Sequence, residues 1–227
     1  IYDASSLAYR QGRTRRGSYA AYLDIHHPDI IQFLEMRKPT GDQNVRTLNL
    51  HHGINITDEF MTIIEKAMKD PDFDDGFQLK NPASGEVVET VSAKYLWQKI
   101  LDLRMQTGEP YLVFIDTANK VMPKWLSKKG LKINGSNLCT EIFLPTNEKR
   151  TAVCCLSSLN LEYYDDWKDD KQFILDVMEM LDNVLQYFID KAPSTIARAK
   201  YSAMMERSIG VGTLGFHAFL QKKRCSH

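Results

Sequence analysis

Cysteine is scarce, with 4 among 227 residues. That is too few for a secreted scaffold built on disulfides, and no leader-like segment precedes them, so a reducing cytoplasmic setting is expected. An excess of one charge is also missing. The 29 Lys+Arg balance 29 Asp+Glu, for a formal net charge of zero. A chain without net positive charge is a poor polyanion binder, so nucleic acid is not an expected partner. No apolar run approaches the length of about 18 residues that a membrane-spanning helix needs, and no membrane partner is expected. Internal repeats and low-complexity tracts are absent as well. Hydrophobic residues make up 43% and charged residues 26%, a composition that supports a buried core. The sequence opens at Ile1 and closes with Lys222-Lys223-Arg224-Cys225-Ser226-His227 just after an apolar stretch. Both ends read as cut, and a fragment of a longer chain is expected.

Strand-like and helix-like stretches alternate. Residues 19–25 form a short apolar run, and Pro28 and Asp29 suit the first turn of a following helix. Residues 48–56 are strand-like, and Thr57 is placed to cap a helix with Phe60, Ile63, Ile64, Ala67 and Met68 on one side. Residues 72–90 are rich in Asp, Gly, Asn and Pro and read as a surface hairpin turning at Asn81-Pro82-Ala83-Ser84-Gly85. Ser92 and Gly108 bracket a further helix. Residues 111–116 and 151–161 are strand candidates. A long helix is expected over 168–190, with Phe173, Val177, Met180, Leu181, Val184, Leu185 and Phe188 as its buried stripe. Another helix is expected over 194–206. The alternation predicts an α/β fold with largely parallel strands.

The chemistry concentrates in Asn137-Leu138-Cys139-Thr140-Glu141-Ile142. In an extended chain Asn137, Cys139 and Glu141 share one face. An amide, a thiol and a carboxylate would then stand together, able to hold a hydroxyl, act as nucleophile or redox centre, and take a proton. The plain alternative is a strand with a buried cysteine and two polar residues facing water. Cys154 and Cys155 follow in a second strand-like stretch, where alternation lets only one of them join Cys139. Zinc is the weaker option. Cys139, Cys154 and Cys155 lack tetrahedral ligand spacing, and the side chains of His26-His27 and His51-His52, each pair placed at a strand–helix junction, diverge. Gly210-Val211-Gly212-Thr213-Leu214-Gly215 matches a dinucleotide fingerprint in form only, because a helix precedes it and the chain ends soon after. A structural passage from strand to helix is the expectation.

Asn-Leu-Cys-Thr-Glu-Ile, followed by Leu-Pro and then Cys-x-Leu-Ser-Ser-Leu-Asn-Leu, resembles the active-site core of the ribonucleotide reductase large subunit. Tyr9-Arg10-Gln11-Gly12-Arg13-Thr14-Arg15-Arg16-Gly17-Ser18-Tyr19-Ala20 is similar to that family's effector-sensing loop and the strand after it. The stretch from Gly108-Glu109-Pro110-Tyr111 through Asn119 is similar to a family barrel strand, as is Arg207-Ser208-Ile209-Gly210-Val211-Gly212. The motifs fall in the family's order along essentially the whole chain.

The resemblance implies a portion of a ten-stranded α/β barrel, with the active-site Cys139 on a central finger loop. Residues 1–20 would form the effector-specificity region, and 131–161 the active-site loop and redox-cysteine strand. It implies radical reduction of ribonucleotides, in the manner of ribonucleoside-diphosphate reductase, to supply deoxyribonucleotides for DNA synthesis. Cys139 matches the thiyl position that takes the 3′ hydrogen, Glu141 the base for the 3′-OH, and Asn137 the amide that orients substrate. Cys154 matches one of the two thiols that become a disulfide, its partner lying before residue 1; Cys155 is read as structural. A radical needs a dry pocket, so Cys139 is expected to be enclosed beside Cys154. Gln11 and Arg15 are the favoured base-reading contacts for nucleoside triphosphate effectors, with Arg13 and Arg16 as further donors and Gly12 and Gly17 supplying unusual backbone angles. No cofactor is expected in this chain. The implied partners are a radical-generating small subunit with a dimetal centre, a thioredoxin or glutaredoxin reductant, the ribonucleotide substrate and a second large subunit in a homodimer. The family's N-terminal regulatory domain, its Pro-Ser-x-x-[Ser/Thr]-Ser phosphate segment, its paired tyrosines and its C-terminal cysteine tail have no counterpart here. A fragment inactive alone is therefore expected. The alternative is a non-catalytic truncated or split-enzyme half that acts only with its complementary polypeptide.

Overall fold

Two runs of alternating strand and helix, each with its own apolar core, organise this computed structural model. It describes residues 1–12 and 14–224, with the backbone alone for Arg10 and Gln11. Arg13 and Cys225 lie outside the described residues. The chain divides into two units, Ile1–Leu144 and Pro145–His227.

The first unit begins with α1 (Tyr2–Ala8), then a small antiparallel pair, β1 (Arg10–Gln11) and β2 (Arg15–Arg16). Its centre is a three-stranded parallel sheet of β3 (Tyr19–Asp24), β4 (Leu50–Ile56) and β7 (Tyr111–Phe114), in the order β3-β4-β7. Between these strands run α2 (Ile30–Glu35), α3 (Asp58–Lys69), the antiparallel hairpin β5 (Gly76–Lys80) and β6 (Val87–Ser92), and α4 (Ala93–Thr107). Local chemistry sets the helix ends. Thr57 accepts a hydrogen bond from the Phe60 amide, and Ser92 accepts one from the Tyr95 amide. Gly108 closes α4 at φ 80°, a left-handed conformation that favours glycine.

Alternation along β4 divides the sheet into two faces. Ile54 and Ile56 pack with Phe60, Phe77, Leu96 and Ile100 against the helices. Phe60 and Phe77 are fully buried, and each such side chain contributes about 1.5–3 kcal/mol. The opposite face carries Tyr22, Gly53, Asn55 and Tyr111, and it is polar where the first is oily. After β7 come α5 (Ile115–Val121), α6 (Lys124–Ser127) and a long irregular stretch over 128–144.

The second unit pairs β8 (Cys155–Asn160) in parallel with β9 (Ile209–Leu214). Between them lie α7 (Tyr164–Trp167), α8 (Phe173–Lys191) and α9 (Ala197–Glu206), and α10 (Phe216–Lys223) follows. Leu185, Ile189 and Ala203 form its core, with Val153, Cys155, Phe188 and Ile209 packed around them. Arg207 ties α9 to α8 through Asp182 at 2.7 Å.

The α/β reading holds, with the five central strands parallel within their sheets, and four expectations need correction. The strand expected over 111–116 stops at Phe114, because Ile115 and Asp116 open α5 and Asp116 Oδ2 accepts from the Asp58 amide at 2.7 Å. The long helix starts at Phe173, after the separate turn of α7. Its buried stripe is Leu181, Leu185 and Ile189; Met180 and Val184 are each half exposed, since the unit offers nothing to cover a second apolar face. His51 and His52 lie within β4 rather than at a junction. The glycine-rich run does follow the expected passage: Gly210 and Gly212 lie on β9 and Gly215 precedes α10, while a Cβ on Gly210 would come within 2.6 Å of Leu156.

Candidate active site

The irregular segment after α6 is tied to the polar face of the first sheet. Leu131 and Ile133 are buried with Met122 and Leu126. Asn119 donates to the Ile133 carbonyl and accepts from its amide, both at 2.9 Å. Asn55 on β4 donates to the Asn134 carbonyl at 3.0 Å and to Asp24 at 2.8 Å. Gly135 then passes the ring of Tyr22, where a Cβ would sit 3.6 Å from Cγ. These anchors lead the chain to the thiol.

Residues 137–140 form a turn rather than the extended strand expected from the sequence. The Thr140 amide donates to the Asn137 carbonyl at 3.2 Å, and Thr140 takes φ 67°. A β-branched residue there carries a strain of about 1–2 kcal/mol. Asn137 explains the departure. Its Oδ1 accepts from the Glu141 amide at 3.1 Å and the Ile142 amide at 3.0 Å, which folds the chain back on itself. Ser136 Oγ closes the base by donating to the Ile142 carbonyl at 2.7 Å. With its oxygen committed to the loop, Asn137 has its Nδ2 donors to offer a ligand.

A residue that sequence reasoning missed grips this turn. The Tyr22 hydroxyl donates to the Asn137 carbonyl at 2.6 Å and lies 2.9 Å from Thr140 Oγ1. Tyr22, Gly53 and Tyr111 stand in register across the three strands. A Cβ on Gly53 would lie 2.5 Å from Tyr22 Cε1, so only glycine admits the ring. Burial pushes the Tyr22 phenol above its usual range, and a neighbouring charge on Tyr111 or Cys139 adds to the rise. Burial also raises Tyr111, followed by the charges of Glu109 and Cys139. Both phenols are thus held as neutral donors within the electrostatic reach of Cys139.

Beneath Tyr111 lies a second group that the motifs did not signal. Glu109 is buried, and its carboxylate meets His51 Nδ1 at 2.5 Å, His52 Nδ1 and the His52 amide at 3.1 Å, and Arg37 Nε at 3.3 Å. His51 stacks on the Tyr111 ring. The partners lie 58, 57 and 72 positions from Glu109, so spacing gave no clue.

The sequence-derived site residues fall in different places. Asn137 and Cys139 lie in the turn, and Glu141 follows it directly, its amide bonded to Asn137 Oδ1. Cys139 and Glu141 are exposed, which corrects the expected enclosed thiol: the turn holds them at the surface of the described residues. Cys154 belongs to the second unit, half-buried just before β8. Its neighbour Cys155 packs on the Leu185 core, and burial raises its thiol. Arg15 is exposed on β2, in backbone register with Gln11; the Gln11 side chain lies outside the described residues. Arg16 is likewise exposed. Gly12 takes the expected positive φ of 63°, but Gly17 serves a close approach instead, with a Cβ falling 2.5 Å from the Tyr9 carbonyl oxygen. Among the described residues no group of three His, Cys, Asp or Glu side chains could hold a metal ion, and no helix is long and apolar enough to cross a membrane.

Comparison with known proteins bears on the fold and the family. A family model described as the barrel domain of ribonucleotide reductase matches residues 1–227. A ribonucleoside-diphosphate reductase large subunit of Frog virus 3 (isolate Goorha) is 55% identical over 98% of this chain and 38% of its own length. The corresponding protein of Invertebrate iridescent virus 3 is 46% identical over 98% of this chain and 43% of its own length. The solved class Id ribonucleotide reductase alpha subunit of Actinobacillus ureae matches 92% of this chain and 36% of that chain, with a TM-score of 0.75 and 32% identity. The chain therefore spans about two fifths of the length of these relatives. Matched by the family model from end to end, and folded as its solved relative is, the chain belongs to the ribonucleotide reductase barrel-domain family.

Proposed function

We propose that this chain is the catalytic core portion of a ribonucleoside-diphosphate reductase large subunit. The observation that carries the reading is the turn that displays Asn137, Cys139 and Glu141 together, in a chain of this family. The Cys139 sulfur, as a thiyl radical, takes the 3′ hydrogen atom of the ribose. The Glu141 carboxylate accepts the 3′-OH proton, and Asn137 donates from Nδ2 to a substrate hydroxyl. The 2′-OH departs as water. Two electrons come from the Cys154 thiol and a second thiol elsewhere in the longer protein, which end as a disulfide, and Cys139 regains its radical when the 3′ hydrogen is returned.

The radical originates in a small subunit whose dimetal centre supplies the oxidising equivalent. Thioredoxin or glutaredoxin re-reduces the disulfide. Nucleoside triphosphates act as effectors at the β1–β2 loop, through Gln11 and Arg15. Large subunits pair as a homodimer. The exposure of Cys139 supports a need for further chain to close the pocket, since a carbon radical must be kept from water and oxygen.

The test uses the full-length large subunit assembled with its small subunit, with deoxynucleoside diphosphate formation as the readout. Cys139→Ser is expected to reduce turnover to background while leaving nucleotide binding intact. Turnover at the wild-type rate would refute the assignment.

A further inference from the structure

Resting on the function proposed above, we infer that Tyr22 is a positioning residue for Cys139, its hydroxyl latching the turn that carries the thiol. The phenol has one proton and directs it to the Asn137 carbonyl at 2.6 Å. The 2.9 Å contact with Thr140 must then run the other way, with Thr140 Oγ1 donating to the phenol oxygen. One hydroxyl thereby joins both ends of the four-residue turn whose third member is Cys139. The first contact spans 115 positions of sequence and the second 118, so the latch fixes the turn to β3 rather than to its own neighbours.

The surroundings are built for this contact. Gly53 leaves the space that the Tyr22 ring fills, and the loop at Gly135 runs in van der Waals range of that ring. Thr140 adopts a backbone conformation unusual for a β-branched residue, and its hydroxyl bond to Tyr22 offsets that strain. The carbonyl that receives the Tyr22 proton also receives the Thr140 amide, so a single oxygen organises the turn. A phenol holds its proton at neutral pH, as a donor requires, and burial pushes Tyr22 further in that direction. Hydrogen-atom transfer falls off steeply with distance, and a displacement of about 1 Å costs on the order of 100-fold in rate. A latch on the turn therefore acts on the chemical step more than on substrate binding.

The experiment is made in the full-length large subunit with its small subunit. Tyr22→Phe keeps the ring in its slot and removes only the hydroxyl. The expected result is a kcat lower by about 10- to 100-fold with the nucleotide KM changed by less than about threefold. Hydrogen exchange at the amides of Thr140, Glu141 and Ile142 is expected to accelerate in the same variant. Thr140→Val is expected to accelerate it too, whereas Thr140→Ser, which retains the hydroxyl, keeps the protection. A wild-type kcat in Tyr22→Phe, a loss confined to KM, or unchanged exchange would each overturn the positioning role. The exchange readout needs no turnover. Were Cys139→Ser to remain active, the catalytic reading would fall while exchange still judged the latch by itself.

Discussion

Glu109 is the residue whose role is least visible in the sequence and most sharply drawn in the structure. Lying between His51, His52 and Arg37, it gives a buried carboxylate the partners that burial demands. His52 is fully buried, and that burial lowers its affinity for a proton below the ordinary histidine range, against the opposing pull of Glu109. The sign of the pH dependence follows. The unfolded chain protonates this imidazole more readily than the folded one, so the associated stability is complete above about pH 6.5 and declines as the pH falls through that value. The thermal midpoint is expected to drop between pH 7.5 and pH 5.5, and His52→Asn to shrink that drop. An equal drop in the variant would show that other groups govern it. At this scale the proposed triplet of Asn137, Cys139 and Glu141 could be singled out because the three fall within five residues and their motif resembles that of a known family. Tyr22 and Glu109 were not, since each acts through partners more than fifty positions away.

Elements were legible where a side chain settles the local hydrogen bonding. Thr57, Ser92 and Gly108 mark their helix ends in the sequence and do so in the structure. Ser92 does two things: Oγ accepts from the Tyr95 amide at 3.1 Å and donates to Asp75 Oδ2 at 2.6 Å. Ser92→Ala is expected to lower stability by about 1 kcal/mol in a denaturant titration, with Ser92→Thr retaining most of it. No change in Ser92→Ala would mean that water replaces the cap without penalty. Elements were misread where tertiary contact decided. The apolar run from Tyr111 looked continuous, yet Asp116 serves the first turn of α3 and draws its segment into α5. The turn at 137–140 was read as extended because periodicity takes no account of Asn137 bonding the amides four and five residues on.

For the whole molecule, the feature that stands out is apolar surface without cover. Met180, Val184 and Tyr187 are exposed along one side of α8, each at 50% or more. Solitary exposed apolar side chains are ordinary, but a stripe along one helix is a surface made to be packed. The relatives extend well past this chain, in keeping with further barrel segments that would supply the packing. The 227-residue chain alone is expected to self-associate and to show no reductase turnover. Met180→Glu with Val184→Glu is expected to raise its monomeric fraction in sedimentation without restoring turnover; an unchanged fraction would place the sticky surface elsewhere. The periodicity of α8 announced an amphipathic helix, but a single chain does not say how many of its apolar sides are met by the same polypeptide.

Gly53 contributes by having no side chain. Any substituent there would enter the ring of Tyr22, and the Cβ of Tyr111 closes the other side at 3.3 Å. A single methyl group on the middle strand would thus dislodge the phenol and, through it, the turn it holds, although position 53 carries no reactive group. Tolerance to mutation at this spot is governed by an unfilled volume, and an inventory of reactive groups would pass it over.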